Sequence, residues 1–336
     1  MKKIHLKRIA GIAVALLPIT LLATNSEAVT PKTVNVVGYS IVANAYTALE
    51  TAFSNTAAGK GVTFSNSFGA STTQAEDVVA GQPADVVNFS ANPDLALLIN
   101  AGLVSHKWAS VKAVRAQKGI VTDSVVVIVV RSGNPLGITS WNDLVKPGVK
   151  IVTPDPISSG SARWNMLAVY ESEIDQGLGA ASATTFVDDV IRRTVSEPSS
   201  GSKALSAFIA GTGNVLLAYE SDAENALASG QKIQIVQPAQ NFLIQNPAAL
   251  TTTGTSNPSA VKFYDFLFSK AGQTIWMAQH FRPTLSSLRA VSKSTFYAPA
   301  TLNTITELGG WATVTPKFFG PTGFITRAEN ANGFTS

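Results

Sequence analysis

Apolar positions along this chain follow two rhythms that alternate. TVNVVGY (33–39), GVTFSNSF (61–68) and ADVVNFS (84–90) are short, β-branched and strand-like. Between them, ANAYTALETAFSN (43–55), TTQAEDVVAG (72–81) and PDLALLINAG (93–102) repeat apolar residues at helical spacing, the last two stopping at Gly81 and Gly102. DSVVVIVVR (123–131) is a long β-branched run. VKIVTP (149–154), NVLLAYE (214–220) and KIQIVQP (232–238) predict further strands, and ARWNMLAVYESEI (162–174) and SKALSAFIAG (202–211) predict helices. SNPSAVKFYDFLFSKAGQTIWMAQ (256–279) predicts one or two more helices. The alternation predicts an α/β protein with mostly parallel sheets covered by helices. GLGAASATT (177–185) predicts a loop, and the polar tail TRAENANGFTS predicts a frayed end.

The first residues break the rhythm. MKKIHLKR is basic, IAGIAVALLPITLLA is apolar but short and interrupted by Pro18, and SEA ends in small residues. This pattern predicts an export signal cleaved after Ala28, and not a membrane anchor. The leader holds four of the 25 basic residues and one of the 21 acidic ones. Without it the net charge is close to zero, so the pI of about 9.2 points to neither nucleic acid nor a membrane surface. With 45% hydrophobic residues a large core is available, and with no cysteine there are no disulfides, thiolate metal sites or lipid-bearing cysteine.

Candidate chemistry sits where strands hand over to helices. GYSIVAN (38–44), SFGASTTQ (67–74), SSGSA (158–162) and EPSSGSKA (197–204) each place Ser, Thr or Gly at a helix start. A helix start leaves backbone N–H groups without acceptors and carries the positive end of the dipole. It can hold an anion with no cationic side chain, with glycine admitting close approach and serine adding an O–H. Ordinary capping is the competing explanation, and Ser71 with Gln74 fits a capping box. No Gly-Lys-Ser/Thr phosphate loop is present.

The words in these turns resemble a known family. TPDPISSGSARWNMLAVY (153–170) is similar to the Asn-Pro-Lys-Thr-Ser-Gly-Gly-Ala-Arg-Trp-Asn segment of periplasmic sulfate- and thiosulfate-binding proteins. NSFGASTTQAEDVVAGQPADVV (66–87), VVRSGNPLGITSWNDLVKPGVKIVTP (129–154), GNVLLAYESDA (213–223), HFRP (280–283) and GGWATVTPKFFGPTGFI (309–325) resemble its other segments, so the likeness covers nearly the whole mature chain.

The resemblance implies a two-lobed type II periplasmic binding fold, with residues 29–118 and 246–336 in one lobe and 119–245 in the other. It implies a non-enzymatic, monomeric protein that takes no cofactor or metal, buries sulfate between its lobes and delivers it to an ABC importer's permease. By motif, Ser71 is a hydroxyl donor from one lobe, and Ser159, Gly160 and Ser161 donate from the other. Ser200 or Gly201 serves the fourth turn, and Tyr219 stands where the family has tryptophan. Ser40 and Ala70 complete the candidate contacts. The first turn departs from the family's Tyr-Asp-Pro-Thr, reading Tyr39-Ser40-Ile41-Val42, and the fourth lacks the family's arginine.

A fully ionised oxyanion wants donors only, whereas a protonated one also wants an acceptor. Asp155 and Glu220 are therefore expected to face away. Five to seven hydrogen bonds to a charged guest, at roughly 1.5–3 kcal/mol each, supply on the order of 10–20 kcal/mol before desolvation and closure are subtracted. Thiosulfate, molybdate or tungstate, and phosphate remain alternative ligands. An enzyme is the remote alternative. Ser200-x-x-Lys203 has the spacing of a serine hydrolase nucleophile and base, but its partner motifs are absent. Neither His106 nor His280 sits in a recognisable pairing, and Trp164 and Trp311 are expected to pack rather than touch ligand.

Overall fold

A computed structural model describes residues 33–112 and 114–334, so the leader lies outside the described residues. In chain order the strands are β1 (Thr33–Tyr39), β2 (Thr63–Gly69), β3 (Val86–Asn88), β4 (Ile120–Ser124), β5 (Val126–Arg131), β6 (Ile151–Val152), β7 (Thr194–Ser196), β8 (Val215–Tyr219), β9 (Ile233–Val236), β10 (Gln240–Phe242), β11 (Ile244–Leu250), β12 (Arg282–Pro283) and β13 (Thr301–Asn303). One sheet has six strands in the order β12-β4-β11-β3-β1-β2. A second has five, β7-β6-β8-β5-β9, and β10 pairs with β13 alone. The helices that matter below are α1 (Ala43–Ser54), α2 (Ser71–Val79), α3 (Asn92–Asn100), α4 (Gly160–Asp175), α5 (Gly179–Arg192) and α6 (Gly201–Ile209). The result is a two-lobed α/β fold.

The sheets are mixed rather than mostly parallel. β1 runs parallel to β2 and β3, and β6 parallel to β7 and β8. A strand that returns through a helix must re-enter in the same sense. By contrast, β5 is antiparallel to β8 and β9, and β11 is antiparallel to β3 and β4. β5 follows β4 with only Val125 between them, and β11 follows β10 with only Leu243 between them, so no helix turns the chain around. The run DSVVVIVVR is thus two strands in different sheets. Its apolar residues are buried throughout, because Val126 to Val130 face cores on both sides of the five-stranded sheet.

Two segments differ from their expected state. GLGAASATT is largely helical, since α5 begins at Gly179. Alanines favour helix, and the left-handed Gly177 and Gly179 confine the turn to the first residues. The polar tail also folds, as the helix Phe324–Ala331 with Ile325 and Glu329 buried. Its anchor is aromatic: Tyr170 of α4 meets Phe318 at 5.0 Å and Phe324 at 5.5 Å between ring centres. Asn332 Nδ2 adds a hydrogen bond to Asp188 of α5 at 3.2 Å. The chain after Trp311 therefore packs on α4 and α5, beside the five-stranded sheet. His280 closes a helix in the left-handed region, at φ 61°.

Candidate anion-binding cleft

The four strand-to-helix turns meet at one buried place. Ser71 opens α2, Gly160 opens α4, Gly201 opens α6, and Ser40 opens a 3-10 turn that runs into α1. The backbone knits them in pairs. The Thr72 N–H donates to the Ser158 carbonyl at 3.0 Å, joining α2 to the entry of α4. The Ser202 N–H donates to Ser40 Oγ at 3.3 Å, joining α6 to the first turn. The glycines mark the closest approaches. A Cβ on Gly160 would lie 2.7 Å from the Ser90 Cβ and 3.1 Å from Asp94 Oδ2. One on Gly201 would lie 2.7 Å from Ile41 Cδ1 and 3.1 Å from Ser161 Oγ. Ala70, Ser71, Ser159, Gly160, Ser161, Ser200 and Tyr219 are buried, while Ser40 and Gly201 are partly so. First-turn N–H groups of α2, α4 and α6 have no intrahelical acceptor, so several such donors converge out of water.

The hydroxyls divide their work. Ser71 Oγ donates to Asp94 Oδ2 at 2.6 Å and accepts from the Ser90 N–H at 2.9 Å. Its hydroxyl proton is thus committed, and what Ser71 offers the cleft is its own N–H. The capping box expected of Ser71 and Gln74 does not form. Ala70 is the residue before the helix, and Gln74 instead accepts from Ser67 Oγ at 2.7 Å. Ser200 caps its own helix, accepting from the Lys203 N–H at 3.4 Å. Ser159 Oγ and Ser161 Oγ bond to each other at 2.8 Å, and Ser90 Oγ and Tyr219 Oη do so at 2.6 Å. In each pair one hydroxyl donates to the other and one O–H is left over. Burial pushes the Tyr219 hydroxyl well above its ordinary range, so it stays protonated.

Three residues of these turns escaped the sequence reading: Ser90, Asp94 and Arg163. NFSANPD is a fifth strand-to-helix turn of the same type, which could have flagged Ser90 and Asp94. Arg163 lay in view inside the quoted ARWN motif. Its Nη1 donates to Asp94 Oδ1 at 3.1 Å, Nη2 to Thr72 Oγ1 at 3.1 Å and to the Ile157 carbonyl at 3.0 Å, and Nε to the Pro156 carbonyl at 3.0 Å. A cation therefore does reach the cleft. It is neutralised by Asp94, whose carboxylate is fully buried and also accepts from Ser71 and Thr72. The two charges cancel one another, and the remaining donors at these turns are backbone and hydroxyl dipoles.

Other expectations resolve on contacts. Asp155 accepts from the Ile157 N–H at 2.8 Å and Ser158 Oγ at 2.6 Å, and so supports its loop. Glu220 turns to Arg282, which donates from Nε and Nη2 at 2.6 and 2.8 Å. Trp164 packs edge-on against Trp311 with ring centres 4.8 Å apart and donates to the Ser90 carbonyl at 2.9 Å. Lys203 Nζ donates to Ser199 Oγ at 3.0 Å, so the amine does not serve Ser200 as a base. Among the described residues no cluster of His, Asp or Glu is arranged to hold a metal ion, and no helix is long and apolar enough to cross a membrane.

Helix starts converging from two α/β lobes on a buried spot rich in backbone and hydroxyl donors define a solute-binding protein. The family model for bacterial extracellular solute-binding proteins matches residues 34–282, and the chain belongs to that family. It is a binding protein, not an enzyme. A sulfate-binding protein of Synechococcus elongatus is 33% identical over 90% of this chain and 87% of its own length. A thiosulfate-binding protein of Pseudomonas aeruginosa is 28% identical over 78% of this chain and 80% of its own. Among solved structures, the sulfate-binding protein SubI of Mycobacterium tuberculosis superposes with a TM-score of 0.82 at 38% identity. It covers 86% of this chain and 99% of SubI. A periplasmic thiamin-binding protein, at 17% identity and a TM-score of 0.68, shares the fold.

Proposed function

We propose that this protein captures sulfate between its lobes and delivers it to the permease of an ABC importer. The observation that carries the reading is the commitment of Asp94, the buried carboxylate at the α2 and α4 turns. Asp94 already accepts from Ser71, Thr72 and Arg163. A protonated oxyanion such as hydrogen phosphate finds no free acceptor at Asp94, while fully ionised sulfate needs only the donors at Ser71, Gly160, Ser161, Gly201 and the two hydroxyl pairs. The named relatives support the same ligand class. A micromolar complex asks for about 8 kcal/mol net, well within what such donors supply.

The protein works as an exported monomer in the periplasm or outside the cell, after cleavage near Ala28. Its lobes hinge where the chain passes between sheets, at Val125 and in the stretch 237–243, and the segment after Trp311 travels with the five-stranded lobe. Calorimetric titration and thermal shift with sulfate, thiosulfate, molybdate and phosphate test the reading. Sulfate is expected to stabilise most at equal concentration. A larger shift with phosphate or molybdate would replace sulfate as the ligand.

A further inference from the structure

Directly behind two of the cleft turns lies a cavity of about 160 Å³, lined by Asp155, Ile157, Glu197, Phe319, Glu329 and Phe334 among others. Asp155 precedes the α4 turn and Glu197 precedes the α6 turn. The two loops are tied together: the Asp155 N–H donates to the Pro198 carbonyl at 3.0 Å, and Ser158 Oγ reaches the Ser199 carbonyl at 3.0 Å. Glu329 enters from the helix Phe324–Ala331 and is 3% exposed. Neither of its carboxylate oxygens has a hydrogen-bond donor, nor has Glu197 Oε1. The two carboxyl groups line this one cavity, and the charge of Glu329 acts on Glu197 there.

Two acids that share a largely enclosed cavity resist ionising together unless a proton or a cation stands between them. Among the described residues no Lys or Arg pairs with either one. Arg192 on α5 is held by Asp188 and Asp189, Arg327 donates to the Thr322 carbonyl, and Lys317 lies over the Phe318 ring at 5.2 Å. No metal-holding cluster is formed there either. A further charge facing the pair is Asp155, which is negative.

We propose that Glu197 and Glu329 share a proton, and that this proton couples anion capture to pH. With the proton in place, the pair clasps the C-terminal helix to the floor of the α4 and α6 turns. With it gone, extra negative charge sits behind the two helix starts that face the anion. The idea rests on the sulfate reading and adds its regulation. Burial raises both carboxyls above the usual carboxylate range, and in Glu197 the facing Glu329 raises it further. For an acid raised in the folded state, the stabilising form is present at low pH and is lost as pH rises through its folded pKa.

The test is calorimetric titration of the full mature chain with sodium sulfate from about pH 6 to about pH 10.5, a range that spans the raised values of both carboxyls, about 7 and about 10, and in which sulfate itself does not titrate. Affinity is expected to fall about tenfold toward high pH. Glu329→Gln keeps a donor toward Glu197 without a second charge. It is expected to match the parent at low pH and to lose most of the fall, with Glu197→Gln as the second variant should the first fold poorly. Because both are compared with the parent, titration elsewhere, as at Asp123, Glu171 or Asp222, cancels. A flat profile in the parent, an equally steep fall in both variants, or calcium restoring affinity at high pH would each overturn the shared proton. Absence of sulfate binding at every pH would instead reject sulfate as the ligand.

Discussion

On the six-stranded side of the cleft, Ser71 gives its hydroxyl proton to Asp94. On the five-stranded side, Ser159 and Ser161 bond to one another and keep an O–H to spare. Both sides place serine at a helix start, and the sequence treats them alike. The difference lies in what stands behind the turn. α3 brings a buried carboxylate to Ser71, and among the described residues no carboxylate stands in hydrogen-bonding contact with the Ser159–Ser161 pair. One side therefore contributes backbone donors steadied by a charged pair, and the other contributes hydroxyls as well. A shared motif does not mean a shared role, because a hydroxyl works on the first acceptor that geometry supplies.

The contrast can be broken most forcefully at Arg163. In Arg163→Met, Asp94 is left as a lone buried anion beside the anion site. We expect a stability loss of about 3–5 kcal/mol and sulfate affinity reduced at least about a hundredfold. Denaturant unfolding and calorimetry measure the two effects. Adding Asp94→Asn to that variant should recover part of the affinity, and no recovery would mean that the carboxylate is not what repels the ligand.

Gly160→Ala comes next. Its methyl group would press on Ser90 across the cleft and hold the two sides apart. Overpacking of about 1–3 kcal/mol translates into roughly a tenfold to hundredfold loss of affinity with the fold intact. Gly201→Ala should cost less, since the atom it meets first is the end of the flexible Ile41 side chain. Unchanged sulfate titration in Gly160→Ala would show that the turns do not close on the ligand.

The two serines give the smallest and most direct comparison. Ser159→Ala removes a hydroxyl from a donor pair and is expected to weaken sulfate binding by about tenfold. Ser71→Ala leaves the N–H in place, so its affinity should fall only about threefold, with about 1 kcal/mol of stability lost because Asp94 and Ser90 each lose a partner. If Ser71→Ala proved the worse binder, the division of labour between the sides would be reversed.

Much of the scaffold was legible beforehand. The period-2 and helical rhythms located β1, β2, β8 and α1 to α4 closely, since all but the edge strand β2 bury one or both faces in a way that periodicity records. The turns were legible because helix starts require the residues that also suit anions. Three things were not. DSVVVIVVR reads as one strand because both halves are fully buried, and burial does not say in which sheet. The tail TRAENANGFTS reads as polar because its anchor, the Tyr170 and Phe318 contacts of the preceding aromatics, lies outside it. Asp94 and Arg163 are 69 residues apart, and nothing local marks a pair made by two different helices.

The sequence by itself determined where strands yield to helices and that those junctions carry small donors. Both follow from local chemistry: side-chain periodicity, and unpaired N–H groups at helix starts. Which donors are free, where an arginine's charge is cancelled, and that two glutamates 132 positions apart come together were decided only by tertiary structure. Hydrogen-bond partnership and burial depend on what the rest of the chain brings within a few ångströms, and no local pattern encodes that.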